Sequence, residues 1–445
     1  MKERFEEQTT IFFSILKWIG LAVIIGVLTG GSTTLFLKLL NISADFTGNY
    51  KYYYLALPLS FLLCTWLINN LAPESKGHGT EKVIEAVHKR AGRIKLAVVP
   101  IKLFTTIVTI ASGGSVGKEG PSGQIGAALS SSFSDLFRLN DTDRRKLVIC
   151  GISGGFAAVF GTPISGAIFG LEVLYVGGIM YDVMLPSFIS GIVAFHICSI
   201  FGITYFHGNI SFVPVFTNAF FLIIIAGGIA FGSVSFLFIE SFRAVDKWVK
   251  KWKINEYIKN LTGGLVLILL IYFVSTKYCG LGIDVIQNEL NNKQSAFWYD
   301  FLFKMLFTII TLSFGGSGGV VTPIFFIGAA AGSFFAQVFH LDNATFAAIG
   351  MVSLLAGAAN TPIAASIMGL ELFGSVIAPY AAISCVISFL MTGHRSIYPS
   401  QILSMRKTTS VNVEMGQEIH NVEASVKSKG RYKLYRFWKF WKFRK

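Results

Sequence analysis

The sequence predicts an all-α polytopic membrane protein with an internal duplication, and three observations predict it. The 445 residues are 53% hydrophobic and only 14% charged, which is too apolar for an ordinary soluble chain. Segments near 11–40, 53–72, 182–202, 216–240, 262–276 and 378–393 approach or reach the roughly 20 residues needed to cross a bilayer. Two Gly-rich blocks, Gly113-Gly114-Ser115-Val116-Gly117-Lys118-Glu119-Gly120-Pro121 and Gly315-Gly316-Ser317-Gly318-Gly319-Val320-Val321-Thr322-Pro323, repeat one pattern inside that apolar background.

The register of the repeat continues past the blocks. Gly126-Ala127-Ala128 is answered by Gly328-Ala329-Ala330 at an offset of about 202. Thr162-Pro163-Ile164 and Gly170-Leu171-Glu172 are answered by Thr361-Pro362-Ile363 and Gly369-Leu370-Glu371 at about 199, as a shortened loop between matching helices would produce. Residues 1–400 therefore read as one transmembrane domain with halves near 11–205 and 215–395, followed by a basic tail over 401–445. Stretches near 98–112, 120–133 and 320–338 are short or broken by Gly and Pro. Such breaks survive at membrane depth only where the freed backbone is buried in protein or lines a cavity, and repeated halves with broken segments point to a substrate site near the midplane.

Charge placement agrees with a membrane chain. No Lys or Arg occurs from Leu147 to Phe242 or from Met305 to His394, and the net charge of +14 comes from linkers and the tail, so nucleic acid is not the implied partner. The clusters Arg138, Arg144, Arg145, Lys146 and Arg243, Lys247, Lys250, Lys251, Lys253, Lys259 are expected on the cytoplasmic side. The first apolar run is too long for a signal peptide core and lacks a cleavage site, so it reads as the first membrane helix. The last nineteen residues hold nine Lys or Arg with Phe437, Trp438, Phe440, Trp441 and Phe443, the composition of an interfacial tail in which each base near an anionic leaflet contributes about 1 kcal/mol. Residues 401–426 are polar and short, with no room for a folded regulatory domain. Cys64, Cys150, Cys198, Cys279 and Cys385 stand singly, and the seven His show no paired spacing. No disulfide framework, metal site or cofactor is expected.

A helix N-terminus presents unpaired N–H groups and about half a positive charge. Two Gly-rich blocks that each open a helix, with Gly77-His78-Gly79-Thr80-Glu81 as a third, can attract an anion without a fully desolvated cation holding it permanently. Conduction needs that combination of binding and release. Glu119 lies inside the first block where the second has Val321. A carboxylate there can take the place of an anion and withdraw when protonated, and an intramembrane acid is a functional candidate by default.

These residues resemble the CLC family of chloride channels and chloride/proton antiporters over most of residues 10–400. Gly117-Lys118-Glu119-Gly120-Pro121 is similar to the family's G-K/R-E-G-P motif, Gly318-Gly319-Val320-Val321-Thr322-Pro323 to its G-x-F-x-P region, and Tyr398 in Arg395-Ser396-Ile397-Tyr398-Pro399 to its pore tyrosine. The resemblance implies two inverted-topology repeats with many broken, tilted helices, no enzymatic activity, and a homodimer in a bilayer, expected to be a bacterial inner membrane. It implies Glu119 as the gate and outer proton acceptor, and an anion site drawn from His78, Gly79, Gly117, Lys118, Gly120, Gly319, Val320, Val321 and Tyr398.

Three departures bear on mechanism. His78 stands where the family has a Ser hydroxyl at the anion, and the Pro of that segment is lost. Val321 replaces the usual Phe. Val173 occupies the position of the internal proton acceptor, where proton-coupled members carry an acid, with Glu172 beside it as a possible substitute. Glu371 at the repeat-equivalent position favours a structural role for Glu172 and for itself. The expectation is selective chloride permeation, passive and gated by Glu119, with chloride/proton antiport by another internal route as the alternative and fluoride export as a remote one. An intramembrane enzyme or glycine-loop nucleotide binder lacks its constellation, since Ser115 and Ser317 have no His/Asp partners in the sequence and no GK[ST] loop is present. A non-transporting scaffold does not account for Glu119, Tyr398 and the paired breaks together.

Overall fold

A computed structural model describes residues 2–205 and 217–426; the expected interfacial tail over 427–445 lies outside the described residues. The first half holds α1 (Lys2–Gly48), α2 (Leu57–Leu71), α3 (Thr80–Lys89), α4 (Val98–Ala111), α5 (Glu119–Leu136), α6 (Asp141–Phe160), α7 (Pro163–Glu172) and α8 (Met184–Ile200). The second holds α9 (Asn218–Lys250), α10 (Glu256–Phe273), α11 (Ile283–Leu290), α12 (Asp300–Ser313), α13 (Val321–Phe339), α14 (Asn343–Ala359), α15 (Pro362–Phe373) and α16 (Ala378–Met391). The eight helices of one half correspond in order to the eight of the other, and the fold is the expected all-α duplicated membrane architecture.

The repeat extends to devices too small to see in composition. Asn140 caps α6 by accepting from Asp143 N at 2.8 Å, and Asp342 caps α14 by accepting from Thr345 N at 2.8 Å. Ser131 Oγ accepts from Ile94 N and Ser333 Oγ from Ala296 N. Each pair answers a donor that a helix or turn end would otherwise leave open.

Among the described residues, six helices are long and apolar enough to cross a membrane: Arg4–Gly48, Tyr53–Leu71, Tyr181–Ile200, Asn218–Lys250, Glu256–Phe273 and Val321–Phe339. Three outcomes differ from the sequence reading. The stretches expected to be broken near 120–133 and 320–338 are the continuous 18-residue α5 and 19-residue α13, because Pro121 and Pro323 fall in the first turn, where a missing N–H costs no helical bond. The stretch near 378–393 yields only the 14-residue α16.

Close packing of α5 on α6 and of α13 on α14 depends on glycine in both halves. A Cβ on Gly126 or Gly151 would fall on the other's carbonyl oxygen, and the same holds for Gly328 and Gly350. Small residues that let backbones approach are the usual device for helix association in lipid.

The chain after 400 is packed rather than free as far as residue 426. β2 (Ile402–Leu403) pairs in parallel with β1 (Tyr175–Val176), and β3 (Val411–Asn412) pairs antiparallel with β4 (Ser425–Val426). Val176, Phe389, Leu403, Val413 and Ile419 form a small separate core beneath them. Lys89 Nζ meets Glu418 at 2.8 Å, and that carboxylate holds the ammonium above its usual pKa. Arg93 pairs with Asp141, Lys76 with Glu256 and Arg395 with Glu240. These pairs join the basic linkers and the 401–426 segment on one side of the molecule.

Gly350→Ala should destabilise the protein by about 1–3 kcal/mol through overpacking, read as earlier thermal unfolding in detergent. Gly31→Ala, where nothing lies within 4 Å of the added carbon, should leave unfolding unchanged or raise it by up to about 1 kcal/mol.

Candidate functional site

The two Gly-rich blocks meet at one point. Gly117 N donates to Gly319 O and Gly319 N to Gly117 O, both at 2.7 Å, an isolated antiparallel bridge between loops 202 residues apart. Reciprocal bonds steady the same junction: Ser115 N donates to Thr311 Oγ1 at 3.1 Å and Ser317 N to Thr109 Oγ1 at 3.0 Å. The bridge corrects one expectation. Each backbone N–H supplies one proton, so Gly117 and Gly319 direct theirs at each other and place the helix ends rather than face an anion.

From this bridge α5 and α13 start, with Glu119 the first residue of α5 and Val321 the first of α13. Glu119 is 1% exposed, and its carboxylate lies across the junction onto the partner helix. Val321 N donates to Oε1 at 2.6 Å, and Thr322 Oγ1 donates to Oε2 at 2.8 Å. The carboxylate of one repeat thus caps the helix of the other, where unpaired donors and the helix dipole favour a negative charge. Gly117 and Gly319 lie directly beneath it, and a Cβ on either would overlap its oxygens. Thr322, between the quoted Val321 and Pro323, is a site residue that sequence reasoning passed over.

The third break abuts the same place. Gly77 and Gly79 hold positive φ of 85° and 78°, a region glycine enters without steric cost, and a Cβ on Gly79 would strike the Gly120 carbonyl. The His78 carbonyl in turn presses against Gly120. The His78 ring sits edge-on to Phe242 at 5.1 Å, and its buried Nδ1 has no hydrogen-bond partner. Tyr398 is fully buried within electrostatic range of Glu119, and its hydroxyl closes no hydrogen bond, although Thr80 lies beside it. Buried polar groups without partners cost free energy unless a ligand or water satisfies them. Val320 is buried just ahead of α13. Lys118 and Thr322 line a cavity of about 70 Å³ with Phe160, Tyr205, Ile283 and Phe325. That cavity touches the C-terminal end of the 20-residue α6, about 30 Å from its basic start.

Two buried lysines that the sequence reading missed support the breaks from below. Lys102 Nζ donates to Ser75 O at 3.1 Å and Gly77 O at 2.6 Å, and Lys304 Nζ donates to Tyr278 O at 3.1 Å and Gly280 O at 2.9 Å. Both are 0% exposed and stand 202 residues apart, so aligning the repeats residue by residue was the signal that could have found them. Lys102 fixes the loop that carries His78. Glu172 and Glu371 form another matched pair. Glu172 accepts from Ile363 N at 3.1 Å and Ala364 N at 2.8 Å, and Glu371 accepts from Ile164 N at 2.9 Å and Ser165 N at 2.8 Å. Each caps the other repeat's short helix. Val173 is buried, with its carbonyl accepting from Gln401 Nε2 at 2.8 Å.

A sequence profile described as "Voltage gated chloride channel" matches residues 60–393. The chain belongs to the voltage gated chloride channel family. The family assignment is joined by a "Chloride/fluoride channel protein" of Pseudomonas syringae pv. tomato (strain ATCC BAA-871 / DC3000), 36% identical over 407 residues, which span 90% of this chain and 89% of that one. Among solved structures, a CLC-type fluoride/proton antiporter is matched at a TM-score of 0.84 and 30% identity, over 88% of this chain and 98% of that one. A slow cyanobacterial Cl⁻/H⁺ antiporter shares the fold at a TM-score of 0.74 and 20% identity, over 84% of this chain and 94% of that one. The chain is thus an integral, multi-pass protein of a family of anion transporters.

Thr322→Val removes one of the two donors that hold the Glu119 carboxylate. A hydrogen bond to a charged group contributes about 1.5–3 kcal/mol, so the carboxylate should leave its place roughly 10- to 100-fold more often. Anion efflux from proteoliposomes at neutral pH should rise, with the folded yield unchanged.

Proposed function

We propose that this chain exchanges a halide for protons across the membrane, with fluoride as the cargo and Glu119 as the group that alternates with it. The observation that carries the reading is the seat of the Glu119 carboxylate on Val321 N and Thr322 Oγ1. A group that fills an anion's place with its own negative charge leaves most readily when protonated, so each departure of the carboxylate toward solution couples a proton to the anion that replaces it. Charge-assisted hydrogen bonds from N–H and O–H groups are short and strong, and they suit a small, strongly hydrated halide. The unpartnered His78 Nδ1 and Tyr398 Oη supply further polar atoms near the path.

Fluoride takes precedence over chloride because two relatives at 30% identity or more carry fluoride in their descriptions, and because His78 stands where the family has a Ser hydroxyl at the anion. Proton exchange takes precedence over passive flow because the path is plugged by an ionisable group. The sequence expectation of passive, Glu119-gated chloride permeation stands as the second reading. Val173 favours it, for it leaves no acid at the position from which an inner proton would be passed on. The proposal includes a homodimer with one pathway in each chain, placed in a bacterial inner membrane.

The test is a simultaneous record of fluoride, chloride and pH from proteoliposomes, with voltage clamped by potassium and valinomycin. The expected result is fluoride efflux that drives proton entry against a proton gradient, with chloride slower by at least tenfold. Halide efflux with no accompanying proton movement would establish the second reading. Glu119→Ala should abolish proton movement while leaving anion flux measurable.

A further inference from the structure

The proton exchange proposed above needs an inner acceptor, and neither residue at the position expected from the family can serve. Val173 has no ionisable group. Both carboxylate oxygens of Glu172 are held by the backbone N–H groups that open α15. Another carboxylate approaches the same neighbourhood from a different helix. Glu81 lies in the first turn of α3, where the related segment's proline is missing, and its side chain reaches the loop that carries Tyr398. Ser400 Oγ donates to Glu81 Oε1 at 2.5 Å and Ser400 N to the same oxygen at 3.1 Å. The next residue, Gln401, donates through Nε2 to the carbonyl of Val173. One short loop therefore links Glu81 to the vacated acid position.

We infer that Glu81 is the inner proton acceptor of this transporter, standing in from α3 for the acid that Val173 lacks. This rests on the proton-exchange reading. Glu81 is only partly buried, and α3 leads from it to Lys89, which pairs with Glu418 on the side that bears the basic linkers. Toward the membrane interior it is within electrostatic range of the buried Tyr398 hydroxyl, which is itself within range of Glu119. The charged groups facing it from α3 are Lys82, Glu85 and Lys89, and Tyr398 is the titratable group facing it from the 395–401 segment. Lys82 and Glu85 pair with each other at 2.7 Å, both partly exposed, and among the described residues Glu81 enters no ion pair and is held through Ser400. The step is a proton transfer alone. The Glu81 carboxylate takes up a proton that has left Glu119 and releases it to the inner solution, or runs in reverse, forming and breaking one O–H bond without any redox change.

The experiment records proton and fluoride flux together from proteoliposomes containing wild type, Glu81→Gln, Glu81→Asp or Glu85→Gln. Glu81→Gln keeps a partner for Ser400 but cannot carry a proton. The assignment expects it to lose proton movement at least tenfold and to lower the proton-to-fluoride ratio, while Glu81→Asp stays within about threefold of wild type and Glu85→Gln is unchanged. A wild-type ratio in Glu81→Gln, or an equal loss in Glu81→Asp, overturns the assignment and leaves proton exchange standing. Wild-type protein that moves fluoride without protons overturns both. If Glu81→Gln does not reconstitute, Ser400→Ala is read instead. A changed pH dependence of proton flux then supports the assignment, and an unchanged one overturns it.

Discussion

The structure depends on a pair of backbone hydrogen bonds between Gly117 and Gly319. They tie together two loops that the chain separates by about two hundred residues, at a depth where an unpaired N–H would cost several kcal/mol. Because both loops end there, α5 and α13 begin side by side, and the first residue of one can cap the other. The seat of Glu119 follows from that geometry. So does the need for glycine at both positions, since the carboxylate lies where a Cβ would be.

Around this bridge the two repeats are built alike wherever the task is mechanical. Lys102 and Lys304 each gather two carbonyls of the loop before a short helix. Glu172 and Glu371 exchange caps between α7 and α15, and Gly126 and Gly328 each admit a neighbouring helix. The repeats diverge where the task is transport. Glu119 is answered by Val321, and the His78 loop with its two left-handed glycines has Gly280-Leu281-Gly282 as its counterpart, where no side chain offers a polar atom. A symmetric frame thus holds an asymmetric set of polar groups, and the departures from symmetry mark the functional positions.

Much of this was legible in the sequence. Offsets of 202 and 199 fixed the duplication, and the Gly-rich blocks identified the helix starts that converge. Glu119 stood out because an acid amid apolar residues has few structural uses. The rest was hidden for physical reasons. Whether the Gly117 amide faces an anion or another loop depends on a pairing that composition does not encode. Lys102 lies within an apolar 14-residue helix and has no sequence neighbour to announce the carbonyls it meets. Glu172 is marked as structural only by its repeat equivalent Glu371, and what it caps stays hidden until Ile363 and Ala364 are seen to face it. The 401–426 segment is polar because it is a surface strap, and its docking rests on β2 and a few apolar residues too sparse to stand out.

The central claim is that the Glu119 carboxylate occupies the place an anion takes. Calorimetric titration of purified protein with fluoride at neutral pH tests it most directly, comparing wild type with Glu119→Ala. The account predicts saturable fluoride binding in Glu119→Ala and binding at least tenfold weaker in wild type, because the carboxylate competes for Val321 N and Thr322 Oγ1. Equal binding in the two proteins, or none in Glu119→Ala, would contradict it.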